Sequence, residues 1–142
     1  MGNSETTAII KKESGMFDIN DVVRDFQANF LNEVKCREWV LNRLHPTGAY
    51  CPGCGVAIPE KSLQRFWMSE RCKCFQCDKF FTALTGTFLS GCQLDYREVI
   101  LLAVFLSSGR SDKNIAELLD MSVDNAKIWR KKFKVMGELK NG

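Results

Sequence analysis

The chain has 142 residues, 45% of them hydrophobic and 26% charged, which is ordinary for one compact domain or two small ones sharing a core. No apolar run is long enough to span a bilayer, and the first residues lack the basic, apolar and small-residue order of a secretion signal, so no membrane role and a cytoplasmic location are expected. The net charge of +3 would not indicate a nucleic-acid partner by itself.

Residues 1–15 are polar, mixed in charge and aperiodic, and read as a disordered tail. Ile19, Val22, Val23 and Phe26 follow at helical spacing and predict an amphipathic helix with those four inward. A second helix is expected over 33–44, with Cys36, Trp39, Val40 and Leu44 inward, and His45-Pro46-Thr47-Gly48 stops it. These helices make an N-terminal segment, 16–48. Residues 49–92 are rich in Cys, Gly and aromatics and read as short strands and turns up to about Phe81, with Thr85-Gly86-Thr87 and Ser90-Gly91 as turns.

Three helices are expected in 93–142. Asp95 and Glu98 form a capping pair ahead of the stripe Val99, Leu102, Ala103 and Leu106, and Ser107-Ser108-Gly109 closes that helix. Ser111 or Asp112 caps the next, with Ile115, Ala116, Leu118 and Leu119 apolar. Asp120-Met121-Ser122 is a short turn. Ser122 caps the last helix, where Ala126, Trp129, Phe133 and Met136 share a face. The expected fold is α+β and mostly helical: a small four-cysteine zinc ribbon between an N-terminal helical segment and a C-terminal three-helix unit.

Seven cysteines are many for this length. Cytosolic thiols stay reduced, so clustered cysteines point to metal more than to disulfides. Cys51-Pro52-Gly53-Cys54 and Cys74-Phe75-Gln76-Cys77 are two Cys-x-x-Cys pairs with nineteen residues between them. Each pair makes a tight knuckle, and two knuckles complete a tetrahedron around one structural Zn2+ with no open position for water. Gly53 and Gly55 are expected to supply the unusual backbone angles of the first knuckle. Cys72 could replace Cys74 in an extended strand, and is read as a packed thiol. Cys36 and Cys92 read as small buried hydrophobes. His45 could be a further ligand, and is read as a helix-end cap. The aromatics of this region read as buried, which leaves no stacking platform for RNA.

Asp112 to Met136 fits a helix-turn-helix, although Asp120 stands where glycine is common. In that geometry Ser122, Asp124, Asn125, Lys127, Ile128 and Lys131 face outward at a major groove, Asn125 suited to adenine and Lys127 to guanine. Arg130, Lys131, Lys132 and Lys134 would hold phosphates. The charge distribution agrees. From Lys127 onward Lys127, Arg130, Lys131, Lys132, Lys134 and Lys140 face Glu138 alone, whereas residues 1–33 are acidic on balance. The ribbon would fix the orientation of the helices and touch the DNA backbone through Lys61, Arg65, Arg71 and Lys73.

Several of these strings together resemble the N-terminal region of insertion-sequence transposases that begin with a zinc ribbon. They are Glu33 with Cys36, Arg43-Leu44-His45-Pro46-Thr47-Gly48, Cys51-Pro52-Gly53-Cys54-Gly55, then Cys74, Cys77, Phe80-Phe81-Thr82 and Thr85-Gly86-Thr87-Phe88. His45 stands where that family usually has tryptophan, and Cys72 where it usually has an aromatic. The resemblance implies a ribbon and helices that recognise the terminal repeats of an element. The family's separate catalytic domain, with acidic residues holding two metal ions, has no counterpart expected in these 142 residues, so no catalytic residue is assigned. The expectation is therefore a non-enzymatic, zinc-dependent, sequence-specific binder of double-stranded DNA: a nucleoid-associated transcriptional regulator, phage- or element-borne, with a homodimer or the transcription machinery as further partners. Two alternatives stay open: an accessory or remnant transposase subunit that binds element ends, and a zinc-ribbon adaptor for protein interactions.

Overall fold

The computed structural model describes residues 17–26 and 28–141, so the expected disordered tail lies outside the described residues. Elements follow in the order α1 (Ile19–Asp25), a 3-10 turn (Ala28–Leu31), α2 (Glu33–Leu44), α3 (Glu60–Trp67), β1 (Cys72–Lys73), β2 (Phe80–Phe81), α4 (Tyr96–Ser107), α5 (Asp112–Leu119) and α6 (Val123–Asn141). The described residues are mostly helical, with one small antiparallel sheet in which Cys72 pairs Phe81 and Lys73 pairs Phe80. No helix of the described residues is long and apolar enough to cross a membrane.

Two compact units divide the chain, and the boundary falls inside α2, at Val40 and Leu41. The first covers 41–92. Its core is Leu41, Leu44, Phe66, Phe81, Ala83 and Leu89, all buried. The His45 ring meets Phe66 edge-on at 5.0 Å, and its Nε2 donates to the Ala83 carbonyl at 2.6 Å. That bond ties the end of α2 to the strand exit and spends the imidazole on structure. Burial lowers its pKa below the usual 6.5, against a smaller opposite effect of the Ala83 carbonyl.

One element was not expected. Residues 60–67 are helical where the reading of strands and turns between Cys51 and Phe81 allowed none. Pro59 ends the preceding extended stretch and Glu60 favours the first turn. Phe66 is the residue that this helix buries. With one buried anchor in eight residues the apolar period is too short to stand out in sequence.

Among the described residues the second unit covers 17–40 and 93–141, so the N-terminal helices share a core with the C-terminal three. Phe17 is central: its ring meets Trp39 at 5.7 Å and Phe133 of α6 at 5.4 Å. Trp39 in turn meets Phe30 at 5.6 Å and donates Nε1–H to Asp25 at 3.2 Å. The inward face of α1 differs from the apolar periodicity. Val22 is buried with Asp18 and Asp21, while Val23 and Phe26 are exposed. The helix is seven residues long, and Asp18 is its N-cap, accepting from the Asn20 N–H. Asp21 is ion-paired to Arg24 at 3.1 Å. Capping and pairing therefore set the helix's rotation as much as its apolar residues do.

The remaining helices follow the sequence closely. Asp95 and Glu98 make a reciprocal capping box, each side chain accepting from the other's backbone N–H at 2.8 Å. Val99, Leu102, Ala103 and Leu106 are buried, and Gly109 leaves α4 with φ 78°. Ser111, not Asp112, caps α5. Asp120 ends α5 in the left-handed region at φ 55°, ψ 53°, its N–H on the Ala116 carbonyl. Ser122 accepts from the Asn125 N–H at 3.0 Å and opens α6. Ala126, Trp129 and Phe133 are buried, and of the apolar residues of α5 Leu118 is exposed.

Candidate functional site

Two backbone turns of the same design carry the cysteines. In the first, the Cys51 N–H donates to the Val56 carbonyl and the Gly55 N–H to the Cys51 carbonyl, both at 2.9 Å. In the second, the Cys74 N–H donates to the Lys79 carbonyl at 2.9 Å and the Asp78 N–H to the Cys74 carbonyl at 3.0 Å. Each turn also aims an N–H at the sulfur of its first cysteine: Gly53 at Cys51 and Gln76 at Cys74, both at 3.3 Å. Both turns need a left-handed residue just after the second cysteine. Gly55 fills it at φ 81° and Asp78 at φ 63°. Gly53 has no such angle, contrary to the expectation above. A Cβ there would lie 3.2 Å from the Lys79 side chain and 3.6 Å from the Cys77 sulfur, a tight fit that a small shift of the exposed Lys79 side chain would relieve.

These turns bring the ligand atoms of Cys51, Cys54, Cys74 and Cys77 within 4.8 Å of one another. Cys51 and Cys77 stand 3.8 Å apart and Cys54 and Cys74 3.6 Å. Sulfurs about 2.3 Å from a shared zinc ion at tetrahedral angles would stand about 3.8 Å apart, so the cage has the size such an ion demands. None of the seven cysteines is in a disulfide.

The electrostatics ask for a cation. The N–H groups of Cys77 and Gln76 favour the thiolate of Cys74 and pull its pKa down to about 6. At Cys54 the Val56 N–H also favours the thiolate, but desolvation and the neighbouring thiols of Cys74, Cys51 and Cys77 outweigh it and push the pKa up to about 11. Four sulfurs this close cannot all ionise without a counter-charge. A divalent ion would supply it, and its uptake would then be coupled to proton release and to folding of the unit. The donor set is soft and complete, as a structural zinc site requires.

The other cysteines lie outside the cage. Cys72 is buried, its thiol directed at the Glu70 carbonyl at 3.5 Å and its pKa raised by burial. In β1 it pairs Phe81, so its side chain belongs to the hydrophobic face. Cys36 is fully buried and donates to the Phe30 carbonyl. Cys92 is half-buried.

The second candidate surface is on α6. Ser122, Asp124, Asn125, Lys127, Ile128, Lys131 and Lys134 are exposed, opposite the buried face of Ala126, Trp129 and Phe133. Asp124, Lys127, Ile128 and Lys131 recur at three- and four-residue steps and so share one side of the helix. Two of the expected phosphate-holding cations are differently employed. Arg130 is half-buried, its Nε on Asp112 at 2.7 Å and its Nη2 on the Arg110 carbonyl at 2.6 Å, which bolts α6 to the start of α5. Lys132 lies 4.6 Å over the Trp129 ring.

The first unit contains aromatic residues that the sequence reading placed inside. Phe75 and Phe80 are 62% and 55% exposed, which corrects the expectation of buried aromatics. A signal was available: consecutive strand residues face opposite sides, so Phe80 and Phe81 cannot both be core.

No family model, curated protein or solved structure matches this chain. The geometry alone defines the class: a mostly helical chain with a four-cysteine group able to hold one metal ion.

Proposed function

We propose that the chain is a zinc-ribbon, helix-turn-helix protein that binds double-stranded DNA sequence-selectively, and that it acts as a transcriptional regulator related to transposase DNA-binding regions. The observation that carries this reading is the division of α6: Ala126, Trp129 and Phe133 inward, Asn125, Lys127, Ile128 and Lys131 outward, behind a tight turn from α5. A helix so presented matches the groove-entering element of a helix-turn-helix. Asn125 and Lys127 suit base edges, and exposed Ile128 suits a thymine methyl. Lys131 and Lys134 are left for phosphates. Arg130 is withdrawn from that role, since its guanidinium already has two partners.

Selection of bound sequences from a random duplex pool, with and without chelator, tests the reading. The expected result is a defined motif that is lost on chelation. Lys127→Ala should weaken binding to that motif about tenfold to a hundredfold, and binding to random duplex far less. Equal loss on both would reduce Lys127 to a phosphate contact. No retention of duplex at moderate salt would overturn the reading in favour of a protein-binding adaptor.

A further inference from the structure

The hairpin of the first unit carries a surface that duplex reading by α6 leaves unused. Strand pairing sets Lys73 opposite Phe80, and because Cys72 and Phe81 face the core, both point outward. Phe80 keeps 55% of its surface in solvent, and Phe75, at the tip of the second knuckle, keeps 62%. The Phe80 ring carries two cations: the Arg71 guanidinium carbon at 3.9 Å from its centroid and the Lys73 ammonium at 5.5 Å. Lys79, just before it, is exposed. Over 70–86 the acids are Glu70, ion-paired to Arg65 at 3.5 Å, and Asp78, so the ledge has a surplus of positive charge.

Two exposed phenylalanines beside exposed cations fit a partner that is anionic and also presents flat, apolar faces. A polynucleotide with unstacked bases is such a partner. A duplex is not, because its base faces are hidden within the stack. An acidic peptide would satisfy the cations and leave the rings idle.

We propose that Arg71, Lys73, Phe75, Lys79 and Phe80 form a binding surface for single-stranded nucleic acid. Bases stack on Phe80 and Phe75, the Arg71 guanidinium extends the Phe80 ledge, and Lys73 and Lys79 hold phosphates. This surface uses no residue of α6; it takes Arg71 and Lys73, expected from the sequence at the duplex backbone, for a single strand instead, and it stands or falls independently of reading by α6.

The test uses the full, metal-loaded chain with fluorescent oligothymidylate and oligouridylate of about a dozen nucleotides, read by anisotropy, with polyglutamate as competitor. Retention of either oligonucleotide is expected, and the preferred one identifies DNA or RNA as the source. Phe80→Ala should weaken binding about tenfold and Phe80→Tyr should preserve it. Lys73→Ala should lower both affinity and salt dependence, while Lys127→Ala should change neither. Metal content is measured on each variant. A titration of wild type followed by NMR gives a readout free of variants, with the Phe75 and Phe80 ring protons moving upfield as bases stack. The proposal is overturned if neither oligonucleotide is retained, if polyglutamate competes equally well, if Phe80→Ala binds like wild type, or if the ring protons stay still.

Discussion

Replacing Arg130 by alanine should cost folding stability more than nucleic-acid affinity, the reverse of what its place in a basic run suggests. Its guanidinium joins Asp112 at 2.7 Å, with the two side chains 38% and 24% exposed. Solvent at that exposure screens the pair to about 0.5–1 kcal/mol. The bond to the Arg110 carbonyl, charge-assisted and 2.6 Å long, contributes about 1 kcal/mol more. The loss is therefore about 1.5–2 kcal/mol, a fall in melting temperature of roughly 6–16 °C for a unit of this size. Lys131→Ala, one residue along and fully outward, should stay within about 0.5 kcal/mol of wild type. Arg130→Lys should recover little, because an ammonium cannot span both partners in the planar geometry of the fork. Thermal melts by circular dichroism at low and moderate salt give the comparison. If Arg130→Ala melts with Lys131→Ala while losing as much duplex affinity, the bolt between α5 and α6 is not what Arg130 does.

Asp120→Gly should raise stability by about 0.5–1 kcal/mol, since glycine takes the left-handed region that Asp120 occupies at φ 55° without steric cost. A lower melting temperature would mean that the carboxylate itself stabilises the turn. His45 sets an acid dependence. The folded pKa lies below the unfolded value of about 6.5, so the unfolded chain takes up a proton that the folded chain refuses. Stability should be full above about 6.5 and fall as pH drops through that value toward the folded pKa. Chemical denaturation across this range should give a shallower slope for His45→Gln than for wild type; parallel slopes would contradict the buried, neutral imidazole.

Legibility in the sequence followed the range of the physics. The capping box at Asp95 and Glu98 and the left-handed stop at Asp120 are decided within a few residues, and both were readable. The grouping of Cys51, Cys54, Cys74 and Cys77 was readable because each Cys-x-x-Cys fixes two sulfurs locally and the chain has two such pairs, whereas the exclusion of Cys72 from the group rests on its place in β1. Decisions made by distant partners were not. Nothing near Phe17 in sequence announces that its ring meets Phe133, or that the N-terminal helices thereby join the C-terminal core. Arg130 looks like any member of a basic run until Asp112 and the Arg110 carbonyl are placed beside it. That one of Phe80 and Phe81 must face outward was readable from strand alternation; that it is Phe80 depended on a pairing that two residues on each side are too few to reveal.

The metal content of the purified chain, measured by inductively coupled plasma mass spectrometry beside two single variants, bears most directly on the whole account. One zinc ion per chain is expected for wild type and for Cys72→Ser. Cys74→Ser should lose the metal and, with it, the cooperative melting of residues 41–92. Wild type without zinc, or zinc held by Cys74→Ser and lost by Cys72→Ser, would contradict a cage of Cys51, Cys54, Cys74 and Cys77.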